Sequence, residues 1–135
     1  MDVSENNRPI MSNLFIGIGA LSALIAVAAG AFGAHGLKQV LSADMLATYH
    51  TAAEYQFMHS IALIAIGTLH KVSARHSHIS SAWTMIAGIL IFSGSLYVLS
   101  LTGVKWLGMI TPVGGVCFIV AWLILAFSYL FSSRT

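Results

Sequence analysis

The segment His50-Thr51-Ala52-Ala53-Glu54-Tyr55-Gln56-Phe57-Met58-His59-Ser60 holds the residues of this chain best equipped for chemistry. Carboxylate and imidazole are the parts of proton relays and of zinc, copper or iron sites. Their spacing limits what they can do together. On a helix turning about 100° per residue, His50 and Glu54 are four apart and share one face. Tyr55, Gln56 and His59, spaced three and four, share another. Glu54 and His59 are five apart, about 140° around the axis. The segment therefore reads as two faces, and His35, His50, Glu54 and His59 do not form one row of ligands. No metal and no other cofactor is expected. Hydrolysis needs a nucleophile beside a base; Ser60 points away from His59, and no Gly-x-Ser-x-Gly is present. An enzyme is not expected either.

Three further clusters of unusual residues accompany this segment: Gly30-Ala31-Phe32-Gly33-Ala34-His35-Gly36, Phe92-Ser93-Gly94-Ser95-Leu96-Tyr97 and Thr111-Pro112-Val113-Gly114-Gly115. Each also has a purely structural reading. Gly and Ala four apart (Ala26, Gly30, Ala34; Ala29, Gly33) let helices approach closely. Ser93 and Ser95 can bond back to carbonyls of the preceding turn. Pro112 suits the first turn of a helix, where its missing N–H costs nothing. Trp83, Trp106, Tyr97 and Tyr129 can anchor at a membrane interface. His70, His76 and His78 flank or occupy a polar loop, to which no metal role is assigned.

The elements that must position these residues follow from composition. Of 135 residues, 58% are hydrophobic and 7% charged, against roughly 25% charged in a soluble domain; the mean hydropathy is +0.88. So short a chain could not bury that much apolar surface in water. Six Lys+Arg against four Asp+Glu leave no basic patch for nucleic acid. The apolar content excludes disorder, and one cysteine excludes an internal disulfide. The chain reads as an integral membrane protein.

Charge-free gaps of 29, 16, 29 and 28 residues separate Arg8 from Lys38, Glu54 from Lys71, Arg75 from Lys105, and Lys105 from Arg134. A bilayer core of about 30 Å needs about 20 helical residues. Four spans are expected, at about 13–34, 51–69, 82–102 and 109–131, in a single all-α domain, a membrane four-helix bundle. Ser42 is positioned to cap a lead-in helix before the second span. Helices are required because lipid offers no partner to an open backbone, and no period-2 alternation suggests a barrel. Ala29-Gly30-Ala31 resembles a signal cleavage site, but the apolar run is too long and its leading segment too acidic for a signal peptide; the first span is expected to be retained.

Arg8, Lys71, Arg75 and Arg134 fall on the side of the termini, and Lys38 and Lys105 on the other. Four against two places both termini in the cytoplasm by the positive-inside rule. All four spans then carry their unusual residues in the outer half. The inner half reads as nearly all apolar and offers no titratable group to complete a proton path. A polar pocket or network opening to the non-cytoplasmic face is expected.

Gly-Ala-Phe-Gly-Ala-His-Gly at 30–36 resembles the opening motif of the YgdD-like small membrane proteins, domain-of-unknown-function family 423, which includes the transmembrane protein 256 group of eukaryotes. Glu-Tyr-Gln-x-x-His at 54–59, Phe-Ser-Gly-Ser-Leu-Tyr at 92–97 and Thr-Pro-Val-Gly-Gly at 111–115, followed by Ala121-Trp122, are similar to its second, third and fourth motifs. The ordered set covers nearly the whole chain. The resemblance implies a four-helix protein of the bacterial inner membrane, and no reaction. By motif match, the positions of interest are His35, Glu54, Tyr55, Gln56, His59, Ser93, Ser95, Tyr97, Thr111 and Pro112. The expected role is a lipid- or partner-binding accessory subunit, within a larger membrane complex or a homo-oligomer. The alternative is a small oligomeric transporter or channel subunit using Glu54 and His59.

Overall fold

A computed structural model describes residues 3–132, with side chains from residue 7 onward. Arg134 and Asp2, counted above, lie outside the described residues, as does the side chain of Glu5. The described chain is helical throughout its elements: α1 (Val3–His35), α2 (Ala43–Val72), α3 (His76–Gly88), a π-helical turn (Ile89–Ser93), α4 (Gly94–Thr102), a 3-10 turn (Lys105–Met109) and α5 (Thr111–Leu130). The α3, π and α4 segments follow one another without a break, so four helical stretches run up and down as a bundle.

Three stretches, Asn7–His35, His76–Thr102 and Lys105–Leu130, are long and apolar enough to cross a membrane. Helix α2 differs because it packs on two sides and carries polar residues on those faces. It packs against α1 on one side and against the α3–α4 stretch on the other, and α5 packs on α3 and the π turn. Its Gln56, His59 and Ser60 lower its hydropathy, yet all three are buried against neighbours. Polar side chains in a membrane belong on such an interior face.

The helices extend past the apolar runs that announce them. Helix α2 starts at Ala43, and the Ser42 hydroxyl caps it by accepting from the Met45 N–H at 3.3 Å. Helix α3 starts at His76, so the linker between α2 and α3 is only 73–75. Helix α4 ends at Gly103, whose φ of 72° is the left-handed cap conformation that glycine adopts without strain. Pro112 sits in the first turn of α5.

Close packing depends on missing side chains. A Cβ on Gly19 of α1 would lie 2.7 Å from Ile64 Cγ1, and one on Gly67 of α2 would lie 2.9 Å from Ile16 Cγ1. Each helix thus seats a branched residue of the other, the small-residue packing that replaces the hydrophobic effect in lipid. Between α5 and the π turn the approach is closer still, since a Cβ on Gly114 would collide with the Phe92 backbone. Phe15, Leu63, Ile66, Met85, Ile89 and Phe118 join the core between these contacts.

The end carrying the termini is not apolar as expected. Ser12, His70, His78 and Ser81 are buried there. The short 73–75 linker is the reason: it brings α2 and α3 together so tightly that His70 and His78 meet inside the bundle, with ring centroids 5.9 Å apart. Polar contacts tie α5 to α3 at this end. His78 Nε2 and the Tyr129 hydroxyl are 2.9 Å apart, and Arg75 Nη1 donates to the Ser128 carbonyl at 2.5 Å. The Arg75 guanidinium lies 4.7 Å over the Tyr129 ring.

Candidate functional site

Gln56 is the centre of the polar site. It is buried on α2, between α1 and α4. Its Nε2 donates to the Ser22 carbonyl at 3.2 Å and to Ser22 Oγ at 3.3 Å, and its Oε1 accepts from the Tyr97 hydroxyl at 2.8 Å. One turn on, the Ser60 hydroxyl donates to the Gln56 carbonyl at 2.6 Å and lies 2.7 Å from Ser22 Oγ. Tyr97 packs edge-on against Tyr49 at 5.1 Å, and the Tyr49 hydroxyl donates to the Ala29 carbonyl at 2.9 Å. Three helices are thereby bonded to one another through a single amide.

The π turn supplies a second attachment. Its extra residue per turn points the Ser93 hydroxyl at α2, where it donates to the Ala52 carbonyl at 2.8 Å. Such turns are frequent at functional positions. Ser95 donates to the Phe92 carbonyl at 3.0 Å and pairs with the Thr111 hydroxyl at 2.7 Å, joining α4 to the start of α5. Pro112 is exposed beside it.

His59 lies on the flank of α2 toward α5, buried to 4% exposure. Its ring stacks on Phe118 at 3.6 Å and on Tyr55 at 5.8 Å, and Trp122 lies edge-on at 6.3 Å. The Tyr55 carbonyl is 2.8 Å from Nδ1. A carbonyl can only accept, so that nitrogen carries the proton in this pair. Tyr55 itself is half-exposed and packs on Phe92 at 4.6 Å.

Of the residues singled out from the sequence, the structure brings Gln56 and Tyr97 into one network, Tyr55 and His59 into one aromatic stack, and Ser95 and Thr111 into one pair. Ser93 stands apart on Ala52. Glu54 is exposed on α2 and His35 is exposed at the end of α1; neither joins the others. Among the described residues no three His, Cys, Asp or Glu side chains converge. The buried polar groups of this half find their hydrogen-bond partners within the bundle, and a cavity of about 470 Å³ lies at the end carrying the termini.

Sequence reasoning missed Ser22, Tyr49 and Phe118. Ser22 had a readable signal, as the hydroxyl on α1 between the small residues Gly19 and Ala26. Tyr49 and Phe118 had none, because their partners lie on other helices.

The chain matches a family model described as "Protein of unknown function (DUF423)" over residues 29–115, which includes the site residues except Ser22, Phe118 and Trp122. It is 47% identical over 112 residues to a UPF0382 membrane protein of Staphylococcus aureus, covering 83% of this chain and 91% of that one. It is 45% identical over 113 residues to the UPF0382 membrane protein YwdK of Bacillus subtilis, covering 83% and 92%. No solved structure matches at a significant level. The names of these relatives describe membrane proteins and name no reaction. With a family model over most of its length and relatives alike almost end to end, this chain belongs to the DUF423 family of small membrane proteins.

Proposed function

We propose that the protein is a non-catalytic accessory subunit, holding a partner membrane protein against the outward face of α2. The observation that carries this reading is Glu54. It is exposed, although it stands level with the middle of the α3–α4 stretch, where Ser93 bonds to Ala52 and Phe92 packs on Tyr55. Its exposed surroundings are Phe57, Met58 and Ile61. An ionisable residue within a membrane helix is costly and almost always faces protein or water. Among the described residues Glu54 has no ion-pair or hydrogen-bond partner, so a partner helix is the natural source of one. The Gln56 network supports the same reading. Its polar groups spend their hydrogen bonds within the bundle and leave no nucleophile beside a base.

We place the protein in the bacterial inner membrane with both termini cytoplasmic, the side that holds Arg8, Lys71 and Arg75 against Lys38 and Lys105. The transporter alternative loses support from the same geometry, because exposed Glu54 and buried His59 do not face one path within a chain.

Native mass spectrometry of protein extracted in membrane discs tests the proposal. The wild type is expected to retain a stoichiometric membrane partner, and Glu54→Gln to lose most of it. A wild-type protein that emerges only as a bare monomer overturns the accessory role. A bare symmetric oligomer overturns it too, in favour of transport.

A further inference from the structure

The cavity at the end carrying the termini is lined by two cations and two imidazoles. Arg8 comes from α1, His70 from the last turn of α2, and Arg75 and His76 from the start of α3. Ile10, Met11 and Ile79 supply an apolar wall. Two of the polar groups are unsatisfied. His70 is 4% exposed and its Nδ1 has no hydrogen-bond partner; Arg8 Nε is likewise buried without one. Both of those atoms are closed to solvent, and the lining cations and imidazoles that are not fully buried are Arg8, Arg75 and His76. The cavity also borders the N-terminus of α3, which has no side-chain cap, so its first N–H groups and the positive end of its dipole favour an anion there. The described carboxylates, Asp44 and Glu54, both stand in the other half of α2.

We propose that this cavity is a binding site for a phosphate-bearing anion, and that its source is the headgroup of an acidic phospholipid. The phosphate sits against Arg8, His76 and the α3 N-terminus, and Arg75, already held by Ser128 and Tyr129, adds charge from the far side. The lipid source follows from the mixed lining. Free phosphate has no use for an Ile10–Met11–Ile79 wall, whereas a glycerophospholipid presents a phosphate and an apolar body together. About 470 Å³ lies within the roughly 300–1,000 Å³ range of small-molecule sites. Membrane-proximal basic pockets between helices recognise lipid headgroups through this same combination. The site is separate from the Glu54 face and does not rest on the accessory role.

The test is lipid retention and thermal protection of the purified full chain in detergent, with phosphatidylglycerol, phosphatidylcholine and inorganic phosphate as probes. Arg8→Gln and His76→Gln are the variants, since Arg75 also holds α5. Phosphatidylglycerol is expected to bind the wild type in preference to phosphatidylcholine. Arg8→Gln is expected to weaken it about fivefold, as loss of one interfacial cation does, with melting in phosphatidylcholine unchanged. Equal retention of the two lipids by the wild type, or of phosphatidylglycerol by wild type and the Arg8→Gln/His76→Gln double variant, overturns the site. Protection by inorganic phosphate that matches the lipid's supports phosphate recognition but overturns the lipid source.

Discussion

Adjacent glycines at the start of α5 offer a sharp test of how the bundle is held. A Cβ on Gly114 would meet the Phe92 backbone nitrogen in outright collision, with Phe92 Cα and Cβ both at 2.7 Å. Backbone cannot rotate out of the way, so Gly114→Ala must push α5 off the π turn. That movement strains the Ser95–Thr111 hydroxyl pair and the seat of Phe118 against Gly88, where a Cβ would stand only 2.5 Å from Phe118 Cδ1. Overpacking of this kind costs about 1–3 kcal/mol, occasionally more. Gly115 is the control. A Cβ there would meet only the Phe92 ring, at 3.8 Å and 3.9 Å, which is ordinary contact. Gly115→Ala should be neutral or gain up to about 1 kcal/mol of helix propensity. Both variants make the same chemical change one residue apart, so the propensity gain cancels and the expected gap of about 1–3 kcal/mol isolates the contact geometry. Reversible unfolding in mixed micelles, followed by helical circular dichroism, measures it. Equal stabilities for the two variants would refute the packing of α5 on the π turn described above.

Two further outcomes are expected. A double-mutant cycle of Gln56→Leu with Tyr97→Phe should give a coupling of about 0.6 kcal/mol and no more than about 1.7, the range of interhelical hydrogen bonds in membranes. A coupling near zero in the same micelle assay would show that Tyr97 does not bond to Gln56. His59→Ala removes an imidazole stacked 3.6 Å from Phe118 and leaves a cavity; it should cost about 2–4 kcal/mol yet still yield folded protein. Wild-type stability in that variant would mean that His59 is not seated in the aromatic stack.

Much of the fold was legible because a membrane permits few solutions. Long charge-free runs and the need to satisfy every backbone group inside lipid leave helices as the answer. The angular argument at the start of α2 also carried through. Glu54 and His59, expected about 140° apart, lie on exposed and buried sides of the helix. Tyr55 and His59, expected on one face, stack on each other. Neither result needed knowledge of any other helix, since both depend only on the rotation per residue.

The rest required the tertiary structure. Gln56 was expected beside His59, and both are buried. Which neighbour each would meet was decided by the packing of α1 and α4 on one flank and α5 on the other, so Gln56 bonds to Ser22 and Tyr97 while His59 stacks on Phe118. Arg8 and Arg75 read in sequence as span boundaries, and His70 and His78 as flanking or occupying a polar loop. They line or adjoin a buried polar end because the linker at 73–75 is short and because α1 returns to the same end of the bundle. Local periodicity dictates the face of a helix on which a side chain lies. The distance between residues sixty positions apart depends on how whole helices dock, and no single helix carries that information.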